Sequence, residues 1–258
     1  MLVQSHDDGP VRHVVINRAE KRNALSFEVY AALVDALQAA ASDADVRCVV
    51  VSGAGSMFSA GNDVGDLALL STQPERVPEL RPPMLESMQL LERMPKPTIA
   101  AVHGLCIGGA LELALAADLR VVARGTRLGA LEATLGLLPD LGGCSRLPAV
   151  VGLGRAKELI LTAHLIDADE AHRIGLANAV VEGDELEATV GALAQELVGR
   201  APLALAYAKR ILDAAAKPAL EATLEQEVLA QTALAHSADF REGAAAVLAG
   251  RPPAFAGR

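Results

Sequence analysis

Tryptophan is absent from this chain, and only two tyrosines and four phenylalanines occur in 258 residues. The core must therefore be assembled from Leu, Val, Ile and Ala, and alanine suits helices that pack closely. Cysteine is scarce as well: Cys48, Cys106 and Cys144 are too few and too far apart for a disulfide framework and form no C-x-x-C pair. Such a set fits a reducing compartment, each thiol serving as a small core hydrophobe. The chain also lacks a basic surplus. With 23 Lys and Arg against 32 Asp and Glu, the net charge is −9, which argues against nucleic acid as a partner because phosphate binding needs a basic surface. No uncharged apolar run reaches the ~18 residues of a membrane span. The opening "MLVQSHDDGPVRH" has neither the basic head nor the apolar stretch of a secretory signal. The expectation is a soluble cytoplasmic protein without a membrane partner.

Several catalytic patterns are missing too. There is no G-x-x-x-x-G-K-[ST] phosphate loop, "GAGSMF" and "GLGRAK" fall short of a dinucleotide fingerprint, and no G-x-S-x-G elbow occurs. The histidines at 6, 13, 103, 164, 172 and 236 show no H-x-x-x-H or Cys/His grouping, so no metal site is expected.

What is present is an alternation of strand-like and helix-like segments. "VRHVVIN" (11–17), "VRCVVVSG" (46–53), "PTIAAVHG" (97–104) and "LRVVARG" (119–125) are β-branched runs or apolar runs bounded by turn residues, a strand signature. Between the first two, "SFEVYAALVDALQAAASD" has helical apolar spacing and Ser26 as its N-cap. Alternation of this kind predicts an α/β core. The stretch from Asp66 to Lys96, with prolines at 74, 78, 82, 83 and 95, reads as a loop with a short helix. From about Gly154 the pattern turns helical, with one short strand "NAVVE" and long helices over 184–200, 202–216 and 220–236. The last two carry Leu203, Leu205, Ile211, Leu212, Leu220, Leu224, Val228 and Leu229, an apolar side that must pack on the body of the chain or on another subunit.

Within "GGALELALAAD" (108–118), Glu112 is a lone carboxylate in an apolar helix. Its helical neighbours Gly108, Gly109, Leu115 and Ala116 offer no polar face. The position is thus buried, where an unpaired carboxylate is costly and its pKa rises. Gly108 and Gly109 precede that helix, and a helix start presents unpaired N–H donors with partial positive charge. The "SAGND" turn after "CVVVSG" can aim a second donor at the same point, although either stretch alone is also an ordinary tight turn. A second glutamate, Glu132, sits among apolar residues in "GALEATLG", a position that also suits a carboxylate at a helix start.

Taken together, "FSAGND" (58–63), "HGLCIGGALELALAAD" (103–118) and "LGALEATLGLLPDLGGCSRLPAVVG" (128–152) resemble the crotonase family, also called the enoyl-CoA hydratase/isomerase superfamily. The resemblance runs from "NRAEKRNALS" to the helical tail. It implies a spiral of ββα units to about residue 195 and a helical segment, 196–258, that packs between subunits in a homotrimer or a dimer of trimers. It also implies an acyl-CoA substrate, with no metal or redox cofactor. The backbone amides of Asn62 and Gly109 match the family's oxyanion hole, and Ala60, Asn62, Asp63 and Val64 match its substrate-binding loop, with Gly109 also a substrate contact. Glu112 and Glu132 match the two glutamates of the family's hydratases, the first activating water and the second donating a proton. Asp140 stands where typical hydratases have glycine and where isomerising branches use an aspartate for proton transfer; it fits also as a turn or cap residue after Pro139. Arg18, Lys21 and Arg22 can meet CoA phosphates or remain solvated, and Asp118 matches a structural aspartate. The expected reaction is reversible hydration of a trans-2-enoyl-CoA. The alternatives are double-bond isomerisation and non-catalytic acyl-CoA binding.

Overall fold

Valine-rich strands form the centre of the fold. The computed structural model describes residues 1–258. Its strands are β1 (Val3–Asp8), β2 (Val11–Ile16), β3 (Cys48–Gly53), β4 (Thr98–Val102), β5 (Leu105–Ile107), β6 (Leu119–Ala123), β7 (Arg127–Gly129), β8 (Ile166–Asp167) and β9 (Ala179–Val181). Six make one sheet in the order β1-β2-β3-β4-β6-β9, parallel except for the β1–β2 hairpin; β5, β7 and β8 make a second. The expected strands are present as β2, β3, β4, β6 and β9. The α/β architecture is as expected.

The central strands are buried on both faces, which explains their unbroken apolar runs. Val49 and Val51 of β3 enter the main core with Ala100, Val102 and Val122. Cys48 and Val50 point the other way, into a smaller core with Ile99 and Val121. On the first face lie α1 (Phe27–Ser42), α3 (Val77–Arg93) and α4 (Gly109–Ala116), with α2 (Val64–Thr72) beyond them. Ser26 caps α1, its hydroxyl accepting the Val29 N–H. After α5 (Gly143–Val151), α6 (Leu153–Thr162) and α7 (Ala168–Arg173), helix α8 (Leu186–Val198) covers the second face with Leu186, Val190 and Ala194. The tail is α9 (Pro202–Ala216), α10 (Leu220–Ala235) and α11 (Ala238–Ala249). The expected boundary near residue 195 falls inside α8.

One expectation is corrected. The proline-rich stretch 66–96 is not mainly loop: it is α2, a 3-10 turn Pro74–Arg76, and all of α3. Pro74 and Pro78 stand in first turns, where the missing N–H has no helical partner in any case. Pro82 and Pro83 lie inside the unbroken α3, where Val77, Met84, Met88 and Leu91 are buried along it, and that packing outweighs the lost backbone bonds. No helix is long and apolar enough to cross a membrane. Cys48, Cys106 and Cys144 are all free thiols, the first two buried.

Candidate active site

Two backbone amides are left over where the two sheets meet. The segment after β3 is tied to β5 by a bridge between Ser59 and Cys106 and to the start of α1 by one between Leu25 and Asn62. Gly61 turns between them with φ +83°, and a β-carbon there would lie 2.5 Å from the Ile107 carbonyl. This close approach sets Asn62 beside the start of α4. The Gly108 N–H donates to the Gly129 carbonyl at 2.9 Å, whereas the N–H groups of Asn62 and Gly109 donate to nothing in the chain. Side chains hold the pair in place. The Tyr30 hydroxyl, fully buried, donates to Asn62 Oδ1 at 2.6 Å, and a β-carbon on Gly109 would collide with both Asn62 Oδ1 and the Tyr30 hydroxyl.

Glu112, on the first turn of α4, is 3% exposed, and its Oε1 accepts the N–H groups of Leu141 and Gly143, each at 2.8 Å. Its Oε2 takes no hydrogen bond from the protein. Glu132 opens a 3-10 turn (Glu132–Leu135) after β7 and is 8% exposed, and neither of its carboxyl oxygens has any partner. It lies against the amide pair, since a β-carbon on Gly108 would sit 3.2 Å from Glu132 Oε1. Burial raises Glu132 to about 7. Burial also drives Glu112 well above the ordinary glutamate range, reinforced by the charges of Glu132, Asp140 and Glu227 and opposed by the Gly143 amide. Two buried carboxyls, one of which is raised by the other's charge, do not readily hold two charges.

Asp140 is buried in the turn before α5. It caps no helix; its Oδ2 accepts the Arg81 Nε–H at 2.8 Å, and Arg81 also bonds its carbonyl oxygen. Burial raises its pKa against the pull of Arg81. Asp140, Arg81 and Asn62 share the wall of a cavity that is otherwise mainly apolar. Leu25 and Phe27 line it from the body, Leu67 and Met84 from α2 and α3, and Phe240 from α11. The proline-rich stretch 66–96 thus forms one of its walls.

The remaining expected contacts divide. Asp63 caps α2 through the Gly65 N–H and is paired with Arg18 at 2.5 Å, so these two residues hold each other. Ala60 donates its N–H to the Arg22 carbonyl, and Val64, Lys21 and Arg22 are exposed nearby. Asp118 is a structural anchor: it accepts from the Thr98 N–H and hydroxyl and is paired with Lys209. Sequence reasoning missed Tyr30, Arg81, Glu227 and Arg146. Tyr30 lies on the buried stripe of α1, where a phenol needs a partner, and Arg146 is a lone cation in "GGCSRLPAV", so both left a faint signal.

The profile of a family described as enoyl-CoA hydratase/isomerase matches residues 7–258. Among characterised relatives, the 1,2-epoxyphenylacetyl-CoA isomerase of Escherichia coli is 33% identical across 100% of this chain and 99% of its own. The short-chain-enoyl-CoA hydratase of Clostridium acetobutylicum is 38% identical across 80% of this chain and 78% of its own. A crystal structure of an enoyl-CoA hydratase from Mycobacterium avium subsp. paratuberculosis superposes with a TM-score of 0.89 at 30% identity, covering 99% of both chains.

Proposed function

The chain belongs to the enoyl-CoA hydratase/isomerase family, and from that premise we propose that it adds water reversibly to a trans-2-enoyl-CoA, giving a 3-hydroxyacyl-CoA. The observation that carries this reading is the buried pair Glu112 and Glu132 beside two undonated amides. In the proposed reaction the thioester oxygen accepts the N–H groups of Asn62 and Gly109. As negative charge grows on that oxygen, each donor contributes about 3 kcal/mol to stabilising the enolate. Glu112, with Oε1 occupied by two amides that favour its charged form, takes a proton from water through Oε2 while the water oxygen bonds to C3. Glu132, without any donor to stabilise its charge, holds the proton and delivers it to C2. The carboxyls then exchange one proton to reset. These steps use proton transfers and amide donors and call on no metal or redox group. The acyl tail is assigned to the cavity lined by Leu25, Phe27, Leu67, Met84 and Phe240, whose apolar side chains suit a hydrocarbon chain.

A second reading, isomerisation through the same enolate, is favoured by the position of Asp140 on the cavity wall. One experiment separates them: loss of conjugated enoyl-thioester absorbance, measured for wild type, Glu112→Gln, Glu132→Gln and Asp140→Asn. Hydration by wild type with a loss of 10²-fold or more in both glutamine variants is the expected result. Interconversion of 3-enoyl or dienoyl thioesters without hydration, abolished in Asp140→Asn, would refute the hydratase reading.

A further inference from the structure

One buried carboxylate close to the site has no part in this chemistry. Glu227 lies on α10, 3% exposed, with Leu224 and Ala235 on the same buried stripe. Its Oε2 accepts the Gly142 N–H at 2.9 Å and its Oε1 the Ser145 hydroxyl at 2.5 Å. The amides on either side of Gly142, those of Leu141 and Gly143, are the two that Glu112 accepts. Three consecutive N–H groups are thus taken in turn by Glu112, Glu227 and Glu112. The turn has no slack elsewhere. Arg146 donates to the Leu141 carbonyl at 2.7 Å and is itself paired with Glu92. Gly142 is left-handed at φ +102°, and a β-carbon there would strike the Arg146 guanidinium.

We propose that Glu227 is a positioning residue: by clamping the Leu141–Ser145 turn from α10, it fixes the amides that hold Glu112 Oε1 and so aims Oε2 at the substrate. The inference rests on Glu112 being the base. It explains why a carboxylate is buried from the tail helix into an already acidic region. Asp140 on the preceding turn and Arg146 on α5 face Glu227, and its own pKa is raised mainly by burial. Glu112 on α4 and Cys144 within the turn both feel its charge, and beyond Arg146 lies Glu92 of α3, held also by Lys217.

The test compares Glu227→Ala, Glu227→Gln, Ser145→Ala and Glu112→Gln in hydration kinetics across pH, with thermal unfolding of each. Expected is a kcat reduced about tenfold or more in Glu227→Ala with KM within about threefold, because the fault lies in aiming the base and not in binding. Glu227→Gln, which keeps an acceptor, recovers most of that kcat. Removing a nearby negative charge also moves the acidic limb of its kcat profile down by roughly half a pH unit. Ser145→Ala shows a smaller kcat loss of the same kind. Lowered thermal stability with an unchanged kcat and pH profile would make Glu227 merely structural and overturn the inference. Should Glu227→Ala fail to fold, an unshifted profile at wild-type kcat in Glu227→Gln decides against it equally. Turnover retained in Glu112→Gln would instead overturn the reading of Glu112 as base.

Discussion

Replacing Glu132 by Gln is expected to stabilise the folded chain while disabling it. Glu132 is buried with no hydrogen-bond partner on either oxygen, and its carboxyl titrates near 7 when folded against an ordinary 4.5. By linkage that difference costs about 3 kcal/mol of stability once both states are ionised. The sign follows from which state releases its proton first. Below pH 4.5 the carboxyl is protonated in both states and costs nothing. Between 4.5 and 7 the unfolded chain gives up the proton and the folded chain keeps it, so wild-type stability falls as pH rises through that window. Gln cannot ionise, so the fall is missing from the variant. A buried amide without partners brings its own penalty of about 1–3 kcal/mol, but that penalty does not change with pH. The decisive quantity is therefore the variant's gain over wild type at pH 8 minus its gain at pH 5.

That quantity should be about 2–3 kcal/mol, or roughly 5–10 °C in Tm for a chain of this size. Loss of the charge beside Glu112 acts in the same direction. The chain has no tryptophan, so far-UV circular dichroism during urea unfolding at fixed protein concentration is the suitable probe. Hydration should fall by about 10²–10⁴-fold in the same preparation, as expected for loss of a general acid. Parallel stability curves for wild type and variant from pH 5 to 8 would refute the reasoning, because they would mean that Glu132 is solvated or paired in the folded state.

Gly109→Ala should lower kcat by about 10²–10³-fold, since its β-carbon collides with Asn62 and Tyr30 and displaces one of the two free amides; activity within a few fold of wild type would remove that amide from the oxyanion hole. Helix α9 contributes no buried residue, and its Leu203, Tyr207, Ile211 and Leu212 are all exposed, an apolar face suited to contact between copies of the chain. Light scattering should give three or six times the 26.7 kDa of one chain, with Ile211→Glu shifting the population toward smaller species; a monomeric wild type at micromolar concentration would contradict this.

The parts of the fold legible in the sequence were those whose signal is local. β3 is a run of valines buried on both faces between turn residues, and α1 opens on a serine that caps it. β1 was illegible because five of its six residues are exposed, so no apolar alternation marks it. The second sheet has strands of three, three and two residues, too short for any period to show. In α3 the composition pointed the wrong way: prolines argue locally against a helix, while the burial that maintains it comes from α1 and the sheet.

The same division runs through the site. Glu112 stood out because every helical neighbour is apolar, and the structure buries it. Glu227 obeys the same rule, but it shares α10 with Glu221 and Glu225, both exposed, and only the phase of the helix, Leu224 to Glu227 to Ala235, separates the buried acid from the solvated ones. Asp140 shows the limit of reading along the chain. Its position next to Pro139 suggested a turn or a cap, yet the cation that offsets part of its burial is Arg81, 59 residues earlier, on the helix that composition concealed. An isolated acid on an apolar stripe is visible because desolvation is a property of its immediate neighbours. The cation that compensates it, or the turn it clamps, is supplied by topology, and for that reason a buried carboxylate can be located from sequence well before its protonation state can be argued.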